Sequence, residues 1–236
     1  MSSTRQRARY AGFLYLLLAL SAPIGLVYVP GKLMVPGNAT ATADAVRASA
    51  SLLRVGIASE LFHQVVCIFL VLALYRLFVD VSESLARQVV ILGALVSVPI
   101  VFLDVLNEVA ALIVVSGADF LSAFSRPQLD ALAYLFLELH GQGIAVVSVF
   151  WGLWLFPFGM LVIRSGFIPR VLGVLLILAG AAYLASSFAT LVVPRIAAQV
   201  AKVTLPLQMG ELPIVVWLLV WGARPRVTGR AGSPPR

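Results

Sequence analysis

Residues 55–78 read VGIASELFHQVVCIFLVLALYRLF. The stretch exceeds the roughly 20 apolar residues that cross a bilayer core, and it closes near Arg76. It is apolar around most of its circumference, which suits lipid better than the surface of a water-soluble domain. Yet Glu60, His63, Gln64 and Cys67 recur at i, i+3, i+4 and i+7, one stripe of a helix. A carboxylate at membrane depth costs roughly 2.5–3.5 kcal/mol on the lenient insertion scale, so such a residue turns to the bundle interior and marks a candidate site.

Working outward, five further segments are long and apolar enough to span: residues 10–29, 88–115, part of 131–163, 168–193 and about 204–222. The expected fold is all-α, a polytopic membrane domain of six transmembrane helices over residues 10–222. Composition agrees. Hydrophobic residues make up 61% and charged residues 11%, against roughly 45–50% and 25% in soluble domains. Lipid must therefore be the solvent, and the bilayer is the first partner.

The net charge of +7 would suggest nucleic acid in a soluble protein. Here the arginines sit in short connections and tails, where they set topology and meet anionic lipid headgroups, so no nucleic-acid partner is expected. With the N-terminus inside, eleven basic residues fall on the cytoplasmic side and six opposite. Both termini are expected in the cytoplasm, with residues 1–9 a basic N-terminus and 223–236 a disordered basic tail. Arg5, Arg7 and Arg9 precede an apolar run that continues to Val29, past a poor cleavage point before Pro23. That run reads as an uncleaved first helix. In the longest connection, 30–54, Thr42 followed by Asp44 looks like a helix start, and a short outer helix is expected at about 43–53.

Five of the ten acids lie inside the spans: Glu60, Asp104, Glu108, Glu138 and Glu211. Counting up from Arg76, Arg87 and Arg164 at about 1.5 Å per residue places three groups in one outer layer. They are Glu60, His63 and Gln64 on the second span, Asp104, Asn107 and Glu108 on the third, and Glu138, His140 and Gln142 on the fourth. On a regular helix His140 is about 200° from Glu138, so a break at Gly141 or Gly143 would be needed to bring both inward. Glu211 falls near mid-membrane, between Gly210 and Pro213, where an interrupted helix suits a buried or cavity-lining position.

Glu60-x-x-His63 is a carboxylate–imidazole spacing used for metals in bundles, but the diiron arrangement needs two copies and this chain has one. A divalent metal would have to use both His63 and His140 together with carboxylates such as Glu60 and Asp104. No cofactor is otherwise expected. A satisfied internal hydrogen-bond network is the plainer reading. The single cysteine, Cys67, excludes an intrachain disulfide. No nucleophile elbow and no phosphate-binding glycine loop occurs.

Four stretches carry a family likeness. They are Arg9-Tyr10-Ala11-Gly12-Phe13-Leu14-Tyr15-Leu16, then Leu33-Met34-Val35-Pro36-Gly37 with Leu53-Arg54-Val55-Gly56. The third runs from Arg164-Ser165-Gly166-Phe167-Ile168-Pro169-Arg170 to Leu178-Ala179-Gly180-Ala181-Ala182-Tyr183-Leu184. The last is Gly210-Glu211 with Trp217-Leu218-Leu219-Val220. Over residues 8–223 the chain resembles a bacterial family of six-helix membrane proteins catalogued as domain of unknown function 4386. The resemblance implies the six-helix fold and a bacterial inner-membrane location. It implies no activity. Where the family commonly has an acid before the position of Ser187, this chain has Ser186.

Three functions fit these residues. One is a ligand-binding or proton-coupled transport protein with a polar, outward-facing cavity leading toward Glu211. The second is a membrane-embedded, metal-assisted enzyme on lipid-like substrates. The third is a non-catalytic accessory or regulatory subunit.

Overall fold

The structure, a computed structural model, describes residues 2–223. The tail beyond Ala223 lies outside the described residues. Six helices are long and apolar enough to cross a membrane, and no strand occurs among the described residues. The protein is an all-α polytopic membrane protein. We number the helices α1 (Thr4–Leu33), α2 (Ala39–Ala48), α3 (Ala50–Phe78), α4 (Glu83–Val115), α5 (Arg126–Ser165), α6 (Arg170–Val192) and α7 (Pro194–Val220).

Five of the six spans run longer than the apolar segments predict, while α6, Arg170–Val192, falls just inside the expected 168–193. Ser125 and Gln128 form a reciprocal capping box at the start of α5, five residues before the expected segment begins. Arg54 and Arg87 stay within α3 and α4 on exposed faces. The short helix also starts earlier than expected, at Ala39 instead of about 43. Asn38 is its cap and accepts from the Ala41 N–H at 2.9 Å. Thr42, the expected cap, is instead buried and bonds both backbone groups of Val35. The helix ends at Ala48, and residues 50–53 already belong to α3.

The six spans form a ring in chain order. Each packs on the next, and α1 closes the ring against the last part of α7, Leu212–Val220. The first part of α7, Pro194–Gln208, packs on α6. The α2 helix caps one end of the ring against α5, held by Arg47, which pairs with Asp44 at 2.9 Å and with the buried Asp130. Arg126 reaches the same two acids.

Helix α5 is the axle. Asp130, Ala133, Leu137, His140, Ile144, Val147, Trp151, Trp154, Phe158, Leu161 and Ser165 recur at spacings of three and four along its inward stripe. At the end away from α2 this stripe meets aromatic rings. Trp154 stacks on Phe158 with centroids 5.6 Å apart, Tyr15 lies 6.2 Å from Trp154, and Phe78 lies 5.9 Å from Phe158. That half of the ring is a solid core.

The other face of α5 meets α6 backbone to backbone. A Cβ on Gly159 would stand 2.6 Å from the Gly173 carbonyl, and one on Gly180 would stand 2.7 Å from that of Gly152. Glycines seven apart on both helices thus let the helices touch, the small-residue packing that replaces the hydrophobic effect inside lipid. Gly159→Ala and Gly173→Ala should each cost about 1–3 kcal/mol through overpacking, about 2–4 °C of melting temperature per kcal/mol for a chain of this size. Gly31→Ala, where an added Cβ meets nothing within 4 Å, should leave it unchanged. Thermal unfolding in detergent reads all three.

Candidate functional site

The half of the ring near α2 is built differently. Two helices depart from α geometry, α1 beside this half and α4 further along, against Val71 and Trp154. In α1, Pro23 removes a backbone donor, and the next residues, Ile24–Tyr28, wind as a π-turn. The Ser21 carbonyl accepts from Ser59 Oγ on α3 at 2.9 Å. In α4, Ile91–Val96 is a second π-turn, and the Gly93 carbonyl accepts from Ser97 Oγ at 2.6 Å and from Cys67 Sγ at 3.3 Å. The lone cysteine is thereby buried in packing, on the same stripe as Glu60.

Four ionisable groups converge between α3, α4 and α5. His140 Nδ1 lies 3.0 Å from Asp104 Oδ2, and His140 Nε2 lies 3.4 Å from Glu60 Oε1. Glu108 joins Glu60 and His140 in a buried group whose ligand atoms all lie within 4.8 Å of one another. Such a Glu–Glu–His group could hold a metal ion. Both oxygens of Glu60, Oε2 of Glu108, Oδ2 of Asp104 and Nδ1 of His140 lack an in-line hydrogen bond. The ring is close to its carboxylates without aiming an N–H along either contact. Asn107 is half-buried and donates to Asp104 Oδ1 at 3.1 Å.

Glycines make the close approach possible. A Cβ on Gly25, inside the π-turn of α1, would come 2.6 Å from Cγ of Glu60. One on Gly143 of α5 would occupy the space of the Asp104 carboxylate. Each acid is seated in a hollow that only a missing side chain on the facing helix can provide.

The two expected histidines do not share a site. Ser21 Oγ lies 3.1 Å from the Leu18 carbonyl and 3.2 Å from His63 Nδ1. His63 is thus held against α1 through Ser21. It lines, with Glu60 and Gln64, a small void of about 10 Å³ below the cluster. Among the described residues, the group whose ligand atoms lie close enough for one ion is Glu60, Glu108 and His140, without His63. Helix α5 also remains unbroken at Gly141 and Gly143. His140 points inward because it sits on the heptad stripe, while Glu138 is half-buried and Gln142 is exposed.

Beside the cluster lies a cavity of about 320 Å³. Glu108, His140 and Glu138 supply its polar wall, and Leu26, Val29, Leu33, Met34, Leu53, Leu137 and Ile144 much of its apolar one. Glu211 lines neither this cavity nor the small void. It sits in a 3-10 turn, Met209–Glu211, that interrupts α7 between Pro206 and Pro213, and it accepts from Tyr15 Oη at 2.6 Å. Glu211 is thereby joined to the aromatic half through Tyr15.

The sequence pattern of a domain of unknown function, DUF4386, matches residues 10–222. The chain belongs to that family. No curated protein and no solved structure matches the chain. The match assigns the family and leaves the chemistry to the residues themselves.

Three carboxylates against one imidazole leave the buried cluster with an excess of acid, and His140 is the only basic group paired with it among the described residues. Burying three carboxyl groups against one basic partner opposes folding, a cost that functional sites commonly carry. In chelator-treated protein, Glu108→Gln should raise stability by about 1 kcal/mol, or about 2–4 °C. His140→Ala, which strips the acids of their one partner, should lower it by about 3–5 kcal/mol. Thermal unfolding of both variants checks the opposite signs.

Proposed function

We propose that the protein binds a small amphipathic molecule inside the membrane, with its apolar part in the 320 Å³ cavity and its polar end at His140 and Glu108. The supporting observation is the cavity itself, apolar on most sides with buried hydrogen-bonding groups confined to one wall, the usual build of a small-molecule site. Glu60 and Gln64 line a small void behind that wall, Asp104 stands against His140, and Glu138 lines the same cavity. The ring gives a route of entry. Pro194–Gln208 leans on α6, and α1 meets α7 only lower down, through Leu212–Val220. The side of the ring near α2 is therefore the looser one, and a lipid-soluble molecule reaches the cavity there from the bilayer.

The distribution of arginines supports a bacterial inner membrane with both termini in the cytoplasm and the cavity toward the outside. Anionic headgroups then meet the arginines of the opposite face. Proton-coupled transport needs a path through the far half of the ring, which in this structure is filled by Tyr15, Phe78, Trp154 and Phe158. Binding is the function that this conformation supports. The metal-assisted enzyme is favoured by one observation, the buried Glu60, Glu108 and His140 group.

The test uses a medium-chain alcohol bearing a photoactivatable diazirine, with the protein in lipid nanodiscs. A hydroxyl suits both carboxylate and imidazole, donating to one and accepting from the other. Labelling should concentrate on residues 26–34 of α1 and 137–144 of α5. Gly141→Phe fills the cavity from a position where an added Cβ meets nothing within 4 Å, so the fold tolerates it. It should reduce that labelling about tenfold, the equivalent of about 1.4 kcal/mol. Labelling spread evenly over the lipid-facing residues, or unchanged in Gly141→Phe, would overturn the proposal.

A further inference from the structure

Beyond the cavity, the cluster behind it has the chemistry of a metal centre. We propose that Glu60, Glu108 and His140 are the protein ligands of one divalent transition-metal ion of the zinc, iron or manganese type, and that Asp104 is the group that orients His140 from behind. The open coordination position would face the cavity, so the inference deepens the ligand-binding reading at that point only.

Four observations carry it. First, the three side chains come from three different helices and are only 4%, 1% and 5% exposed, yet both oxygens of Glu60 and Oε2 of Glu108 have no hydrogen-bond partner. Buried polar atoms without partners are rare and call for an explanation such as an ion. Second, the spacing fits. Ligand bonds of 2.0–2.1 Å at a tetrahedral angle put donor atoms about 3.4 Å apart. His140 Nε2 and Glu60 Oε1 are 3.4 Å apart, and the whole set lies within 4.8 Å. Third, Asp104 Oδ2 stands 3.0 Å from His140 Nδ1, the nitrogen that faces away from Glu60. A carboxylate on the far nitrogen of a metal-binding imidazole is the usual second-shell arrangement, and it fixes which nitrogen is left to bind. Fourth, charge decides for a cation. Two glutamates neutralise a divalent ion, and no lysine or arginine among the described residues pairs with either of them.

The donor set narrows the ion. One imidazole and two carboxylates, with no thiolate, suit zinc, iron or manganese better than a soft ion such as copper(I). Three protein ligands leave coordination open, as catalytic and ligand-binding metal sites do and structural ones do not. Glu108 and His140 both line the cavity, so the remaining position opens on that side. His63 takes no part, since its Nδ1 is engaged with Ser21 and it lies outside the group.

The experiment measures metal in full-length protein held in nanodiscs. Protein purified without added metal is analysed for its elements, then stripped with chelator and titrated with Co²⁺, read by its visible absorption, and with Mn²⁺, read by electron paramagnetic resonance. One ion per chain is expected. His140→Ala and Glu108→Gln should abolish retention, and Asp104→Asn should weaken binding 10–100-fold. His63→Ala and Glu211→Gln should leave it unchanged. Glu60→Asp keeps the charge with a shorter reach, and weakened binding there rather than loss identifies a ligand whose removal is not merely unfolding the chain. Absence of bound Co²⁺ and Mn²⁺ in stripped, folded protein would overturn the site, as would retention unaffected by His140→Ala. Photolabelling by the diazirine alcohol in the same stripped sample keeps the two readings apart. Labelling that persists without metal binding removes the metal site alone, and metal binding without cavity labelling removes the cavity reading alone.

Discussion

A carboxylate cannot remain in a lipid-facing bundle unless protein surrounds it on every side, and three of them sit within reach of one imidazole here. Glu60, Asp104 and Glu108 are all at least nine-tenths buried. That requirement organises the half of the ring near α2. It explains why α1 carries a π-turn just where Gly25 faces Glu60, and why α5 carries Gly143 against Asp104. A π-turn inserts one residue into the winding and shifts the face a helix presents, and such turns are found disproportionately at functional sites. Of the two π-turns among the described residues, the one in α1 faces Glu60 through Gly25, while the one in α4 packs through Gly93 on Val71 and Trp154.

The far half obeys a different rule. There the inward stripe of α5 carries Trp154 and Phe158, and Tyr15 and Phe78 interlock with them. Between the helices themselves, dispersion and close approach do the holding, because lipid tails are as apolar as the side chains they would replace. One helix therefore serves two purposes along a single stripe. Its first half presents His140 to a cluster, and its second half locks the ring.

Much of this was legible in the sequence. Six apolar runs specified six spans, since lipid leaves the backbone no alternative to helix. The stripes Glu60-His63-Gln64-Cys67 and Asp104-Asn107-Glu108 announced which faces turn inward. Helix ends were less legible, because capping by Asn38 and Ser125 extends helices past the apolar runs. Comparison with Glu138, its neighbour in sequence, gives no guide to the inward placing of His140. The better reference was the repeat through Leu137, Ile144 and Val147, in which a histidine occupies a position otherwise held by apolar residues. The seats of the acids, Gly25 and Gly143, carry no signal of their own in the sequence. A glycine that makes room for a side chain on another helix is visible only once the two helices are side by side.

Glu211 shows why burial alone does not make a site. It too is an acid at membrane depth on an interrupted helix, but its Oε2 accepts a 2.6 Å bond from Tyr15. Tyr183 and Cys67 are its other titratable neighbours. That contact ties α1 to α7 close to the seam where the ring closes, so it does the work of a strut. The cluster at His140 differs in each respect that bears on function. Both oxygens of Glu60 and Oε2 of Glu108 lack a hydrogen bond, three acids face one imidazole, and an apolar cavity adjoins it. An interaction already complete stabilises a fold, whereas one left incomplete in a dry interior is held in place by the fold around it, and its completion is left to something that binds.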